Sequence, residues 1–238
     1  MEKYSKLEAL RQSIKACSLC NLQAENQKIR NLNAIDDIID EDYGLPVPGY
    51  GSPSARILIC GEAPGRDEVR QGLPFVGRAG QLLRNVPEET GAPASLFWIA
   101  NVINCRPINN VFPTDKTMIQ ACLPWLQKQI GIIRPLVIIG CGDKPLKHLI
   151  GVNSQISKVR GKAIDWYVEP IDLHCKYIPV FHPSFCLRPG RSFNTPKRDL
   201  TEGQKVLAMS QNEKQELLAQ DIYKAVHYVL TRKGDGNE

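Results

Sequence analysis

No stretch of this 238-residue chain approaches the roughly 20 consecutive apolar residues that a bilayer-spanning helix requires. Met1–Leu10 is polar and charged and lacks the apolar segment of a secretory signal. A soluble, intracellular protein of the cytoplasm, with no membrane partner, is the expectation. Internal repeats and low-complexity tracts are also lacking, so repeat architectures are excluded. Nor is one sign of charge in great excess: 30 Lys and Arg face 25 Asp and Glu, a net charge of +5. That balance does not identify a nucleic-acid binder. Its distribution says more, because Arg188, Arg191, Lys197 and Arg198 share one short stretch with Pro189 and Gly190. Such a loop could neutralise phosphates, although on charge alone it reads more readily as a solvated charged loop.

What the chain does have is cysteine, eight in all. Without a secretory signal, disulfides are not expected, and metal or cluster ligation becomes the first question. Cys17 and Cys20 are spaced to place two thiolates on one centre, and distant Cys105 and Cys122 could complete four ligands. Zinc and an iron–sulfur cluster both remain open on this spacing. Cys60, Cys141, Cys175 and Cys186 lack such spacing and read as buried or incidental.

With 42% hydrophobic residues the chain can bury one good core, and no second core is evident. Tyr4, Leu7, Leu10 and Ile14 recur at helical spacing and predict a helix over residues 3–16 that leads into the cysteine pair. Residues 24–50 are polar, acidic at Asp36–Asp42, then rich in Pro and Gly, and read as a loop or insertion with a helical turn near Ile35–Ile39. Four apolar runs predict buried strands: Ala55–Cys60, Leu96–Val102, Leu136–Cys141 and Tyr177–Phe181. Helical segments separate them at Gly80–Glu89, Thr117–Ile133 and Lys144–Ile150, and an amphipathic helix closes the chain over 213–231. Alternating strands and helices predict an α/β fold: a single three-layer α/β/α domain around a mostly parallel four-stranded sheet, with its core over about 52–232. Ligands bind beyond the carboxyl ends of such strands. That rule gathers Gly61–Gly65, Asn101–Cys105, Cys141–Asp143 and His182–Ser184 at one edge.

Each of these strand ends has a bland reading of its own. Glu62 could be an exposed residue of a Gly-rich turn, Phe75 a core aromatic, Asn101 a structural cap and His182 a satisfied turn residue. Their order along the chain changes the weighing. CSLC at 17–20, GEAPGRDEVRQGLPFVGRAGQLL at 61–83, NVINCRP at 101–107, ACLPWL at 121–126, IRPLVIIG at 133–140 and HPSFCLR at 182–188 together resemble the family-4 uracil-DNA glycosylases, the iron–sulfur branch of that superfamily.

The resemblance implies a 4Fe-4S cluster held by Cys17, Cys20, Cys105 and Cys122, and a DNA-repair enzyme associated with the nucleoid. Such an enzyme acts as a monomer on single- or double-stranded DNA containing uracil. It flips the base into a pocket and hydrolyses the N-glycosidic bond with water, leaving an abasic site for base excision repair. The expected uracil pocket comprises Gly61, Glu62, Phe75, Asn101 and His182. Phe75 would stack on the base and Asn101 would read its edge. His182 would stabilise the departing anion, and Glu62 would orient or deprotonate the water. Ser184, Leu187 and Arg188 are the expected DNA contacts. No lysine lies in these motifs, so no Schiff base is expected. The loop Arg106–Lys116 contains no His, which predicts ordinary turnover rather than covalent capture. The chain departs from the family at Glu68-Val69, at Phe185-Cys186-Leu187 and in longer segments around Asp36–Asp42 and Pro189–Leu200. The alternatives are a non-catalytic iron–sulfur DNA-binding accessory protein and a glycosylase for another deaminated base.

Overall fold

The computed structural model describes residues 1–26, 28, 45–195 and 197–232. The acidic stretch Asp36–Asp42 and the turn expected at Ile35–Ile39 lie outside them. Six strands form one sheet: β1 (Tyr50–Gly51), β2 (Ile57–Gly61), β3 (Phe97–Asn101), β4 (Val137–Cys141), β5 (Ile164–Val168) and β6 (Leu173–Val180). Their spatial order is β1-β3-β2-β4-β6-β5. The inner four, β3-β2-β4-β6, run parallel.

The expected four-stranded sheet is thus present but extended by an antiparallel strand at each edge. Neither edge strand has a fully apolar pattern. β1 is two exposed residues, and in β5 buried and exposed positions alternate because one face meets solvent. β6 also starts earlier than expected, since His174 and Lys176 interrupt its apolar run where it pairs with β5.

Along β2, Leu58 and Cys60 join the core on one side, whereas Ile57 and Ile59 join the core on the other. That two-sided burial is why the inner strands read as unbroken apolar runs. The first face is covered by α1 (Glu2–Lys15) and its neighbour α4 (Lys116–Ile133). Leu7 of α1 lies in the same core as Leu126 and Ile130 of α4. The second face is covered by α3 (Arg78–Glu89), the short α7 (Pro183–Cys186) and the long α9 (Gln211–Thr231). Three further helices fall in loops: α2 (Arg66–Gln71), α5 (Asp143–His148) and α6 (Ile156–Val159). α8 (Glu202–Ala208) precedes α9, and both begin with reciprocal caps, Thr201 with Gln204 and Ser210 with Glu213. Among the described residues, no helix is long and apolar enough to cross a membrane.

Candidate active site

The carboxyl ends of β2, β3 and β6 open on a cavity of about 440 Å³, lined among others by Glu62, Phe75, Asn101, His182, Ser184 and Arg188, while the end of β4, at Gly142 and Asp143, lines an adjoining pocket that shares Glu62 and His182. Six of the residues singled out from sequence therefore meet at one place. Gly61, the last residue of β2, lies beneath it. A Cβ there would meet Asn101 Oδ1 and stand 2.5 Å from Phe75 Cζ. Only glycine lets the ring and the amide converge over the strand end. Leu187 follows α7 at the rim, half-buried, outside the lining of the cavity.

Phe75 is held in an uncommon backbone conformation, with φ of 55°. Its loop is stapled by Glu68 of α2. One carboxylate oxygen accepts from Gly65 N at 3.0 Å, the other from Val76 N at 2.9 Å and Gly77 N at 2.8 Å. Sequence reasoning gave Glu68 no role. The signal was there, because an acidic residue three positions after a helix cap marks a capping box.

Asn101 is 2% exposed, and its Oδ1 has no hydrogen-bond partner among the described residues. A buried acceptor left unpaired costs free energy. Here it belongs to a cavity wall and is available to a ligand donor.

His182 caps α7. Its Nδ1 accepts from Ser184 N at 3.2 Å and lies 2.8 Å from Ser184 Oγ. Burial, helped by the nearby Arg188 charge, pushes its pKa down to about 4. The ring is therefore neutral at physiological pH. With Nδ1 engaged as an acceptor, its one proton sits on Nε2.

Glu62 is shifted the opposite way. Burial, then the negative charge of Asp143, raises its carboxyl to about 7. Lys144 opposes this through its charge and a backbone hydrogen bond. Between β4 and α5, Gly142 has φ of 94°, and a Cβ there would strike Glu62 Oε1 and lie 3.3 Å from His182 Cβ. Sequence reasoning marked this strand end without assigning its residues. Gly142, Asp143 and Lys144 set the separation and charge of the Glu62–His182 pair.

A second site lies further along the same run of chain, at Asn104 and Cys105. A small apolar pocket is lined by Cys17, Cys20, Cys105 and Cys122, with Gln23, Pro46 and Asn104. Asn104 points two donors at Cys122 Sγ, its backbone N at 3.3 Å and its Nδ2 at 3.4 Å. The four cysteines line one pocket. Among the described residues no three His, Cys, Asp or Glu side chains gather as a single-ion site. The other four cysteines, Cys60, Cys141, Cys175 and Cys186, are buried. The segment from Asn101 to Cys105 joins the two sites. Val102 N donates to the Gly61 carbonyl at 3.0 Å and Ile103 N to the Glu62 carbonyl at 3.1 Å.

The family model described as the uracil DNA glycosylase superfamily matches residues 48–202, most of this architecture. The chain belongs to the uracil-DNA glycosylase superfamily, in its family-4 branch. It is 37% identical over 183 residues to a type-4 uracil-DNA glycosylase of Thermotoga maritima, covering 76% of this chain and 83% of that protein. A type-4 enzyme of Sulfurisphaera tokodaii is 41% identical over 146 residues, 59% of this chain and 65% of the relative. A type-5 uracil-DNA glycosylase of Thermus thermophilus is 33% identical over 160 residues, 60% of this chain and 71% of that protein.

Proposed function

We propose that this glycosylase excises uracil from DNA by hydrolysis of the N-glycosidic bond. The observation that carries the reading is one cavity in which an unpaired Asn101 acceptor, a neutral His182 and a Glu62 whose pKa is raised by burial face the same space. The flipped base stacks on Phe75, an interaction worth about 1–3 kcal/mol per base. Asn101 Oδ1 accepts the uracil N3–H, and its amide nitrogen donates to O4. Cytosine offers the opposite pattern at those atoms.

As the bond breaks, positive charge grows on the sugar and negative charge on the base. His182 donates from Nε2 to the uracil O2, a bond that strengthens as the anion forms and supplies on the order of 3 kcal/mol. Glu62, once ionised, orients or deprotonates the attacking water and offsets the sugar's charge. Ser184 serves twice. Its backbone N–H keeps the His182 ring aligned while its hydroxyl turns to a flanking phosphate. Leu187 and Arg188 at the rim enter the space vacated by the base.

We further infer that Cys17, Cys20, Cys105 and Cys122 hold a 4Fe-4S cluster. Four soft thiolate donors around an apolar pocket suit it, and membership of the iron–sulfur branch favours it over one zinc ion. When bound, the cluster serves as a structural staple, because hydrolysis transfers no electron. Asn104 and Gln23 would orient its ligands.

The test is incubation with single- and double-stranded oligonucleotides bearing U, hypoxanthine or T, followed by alkaline cleavage of abasic sites. Cleavage at U is expected on both forms. No product from any base would refute the enzyme, and product from hypoxanthine alone would refute the substrate.

A further inference from the structure

Lys214 lies on α9, far along the chain from every motif of the active site, yet its ammonium ends inside the loop that carries Leu187 and Arg188. The residue is 1% exposed. Nζ donates to the Arg188 carbonyl at 3.0 Å and to the Pro189 carbonyl at 3.4 Å. It also stands 4.7 Å from the centre of the Phe185 ring. One buried cation therefore grips the main chain just after Leu187 and faces the Phe185 ring two residues before it.

Lysines are almost never fully buried, and an apolar side chain of similar size would usually fill such a space at lower cost. What the ammonium adds is direction, because it orients two consecutive main-chain carbonyls and so the path of the chain as it leaves Leu187. The far side of the loop is pinned as well. Arg191 N donates to the Leu207 carbonyl at 2.8 Å, and Gly190 packs against the carbonyls of Ala208 and Met209. The backbone of the loop is held from α8 and α9, while Leu187 stays half-exposed and Arg188 exposed.

We propose that Lys214 is a positioning residue for duplex opening, holding Leu187 and Arg188 in the attitude needed to enter the gap left by a flipped base. The proposal rests on the reading of those two residues given above. A wedge that replaces a stacked base must be rigid, because any freedom it loses on insertion opposes the unstacking it drives. Single-stranded DNA has less stacking to disrupt and no partner strand to replace. Loss of Lys214 should therefore be felt on duplex and spared on single strands.

Single-turnover excision of uracil from a duplex and from the same single strand separates the possibilities. Lys214→Met removes the donors at nearly constant length, and Lys214→Arg retains a cation that can donate. Lys214→Met should slow duplex excision about tenfold, a change the size of one charged hydrogen bond, and single-strand excision by less than about twofold. Lys214→Arg should recover most of the duplex rate. Equal loss on both substrates would overturn the proposal, as would full duplex activity. Should Lys214→Met fail to fold, Leu187→Ala, Lys214→Gln (neutral and shorter, but still polar) and their combination form a cycle. Non-additive losses on duplex support the link, and additive losses, or no effect of Leu187→Ala, overturn it. An inactive wild type would instead refute the proposed function itself.

Discussion

Burial raises the carboxyl of Glu62 to about 7 and lowers the imidazole of His182 to about 4, so His182 is already neutral over the range in which Glu62 titrates. In the proposed mechanism Glu62 must be ionised, which holds above its pKa, and His182 must be neutral, which holds above its own. The single-turnover rate should therefore climb with pH until about 7 and level off above it. Asp143→Asn removes the lesser of the two causes that raise Glu62 and should move this limb to lower pH, short of an ordinary carboxylate because burial remains. Glu62→Gln should abolish the limb and most of the rate while leaving binding to uracil DNA intact. A limb unmoved by Asp143→Asn, or retained in Glu62→Gln, would assign the titration to another group. Gly61→Ala tests the pocket floor. Its methyl would force Phe75 and Asn101 apart, so affinity for uracil DNA should fall with little change in thermal stability.

The elements that carry these residues are short and depend on their ends. α7 spans four residues and is capped by the His182 imidazole, so the helix terminus and the orientation of the ring are one feature. Replacing His182 by Ala should cost both the rate and the order of the following loop. Replacing it by Asn, a good cap, should restore the loop without the rate. Amide hydrogen exchange at 184–188 compared with turnover separates the two effects. At the start of α9, Ser210 Oγ accepts from Glu213 N at 3.2 Å. Ser210→Ala should lower unfolding stability by about 1 kcal/mol in denaturant titrations.

Across the whole molecule, the two sites share the short run Asn101–Cys105. Its backbone is bonded to Gly61 and Glu62 at one end, and its Asn104 and Cys105 line the cysteine pocket at the other. Cysteines on α1's outlet, on this run and on α4 would be tied together by a cluster. Its removal, or Cys122→Ser, should therefore lower the thermal midpoint and loosen the base pocket, with iron and sulfide content lost in step. Unchanged stability after complete iron loss would deny the cluster a structural role.

Much of this was legible without coordinates. The inner strands Ile57–Gly61, Phe97–Asn101 and Val137–Cys141 are buried on both faces, and burial on both faces writes itself as an apolar run. Parallel strands put the segments that carry Glu62, Asn101 and His182 at one edge, and the family resemblance singled out those residues within them. The edge strands were not legible, because a half-wet strand needs only every second residue to be apolar. Nor was the tuning of the site. Residue order cannot show that Gly142 lets Glu62 approach His182, that the Asn101 oxygen is unpaired, or that Lys214 ends inside a loop more than twenty positions upstream. Order along the chain determined which strand ends would meet. Packing alone decided the distances, burial and charges among them, because proximity in space follows from how the layers close rather than from any local pattern.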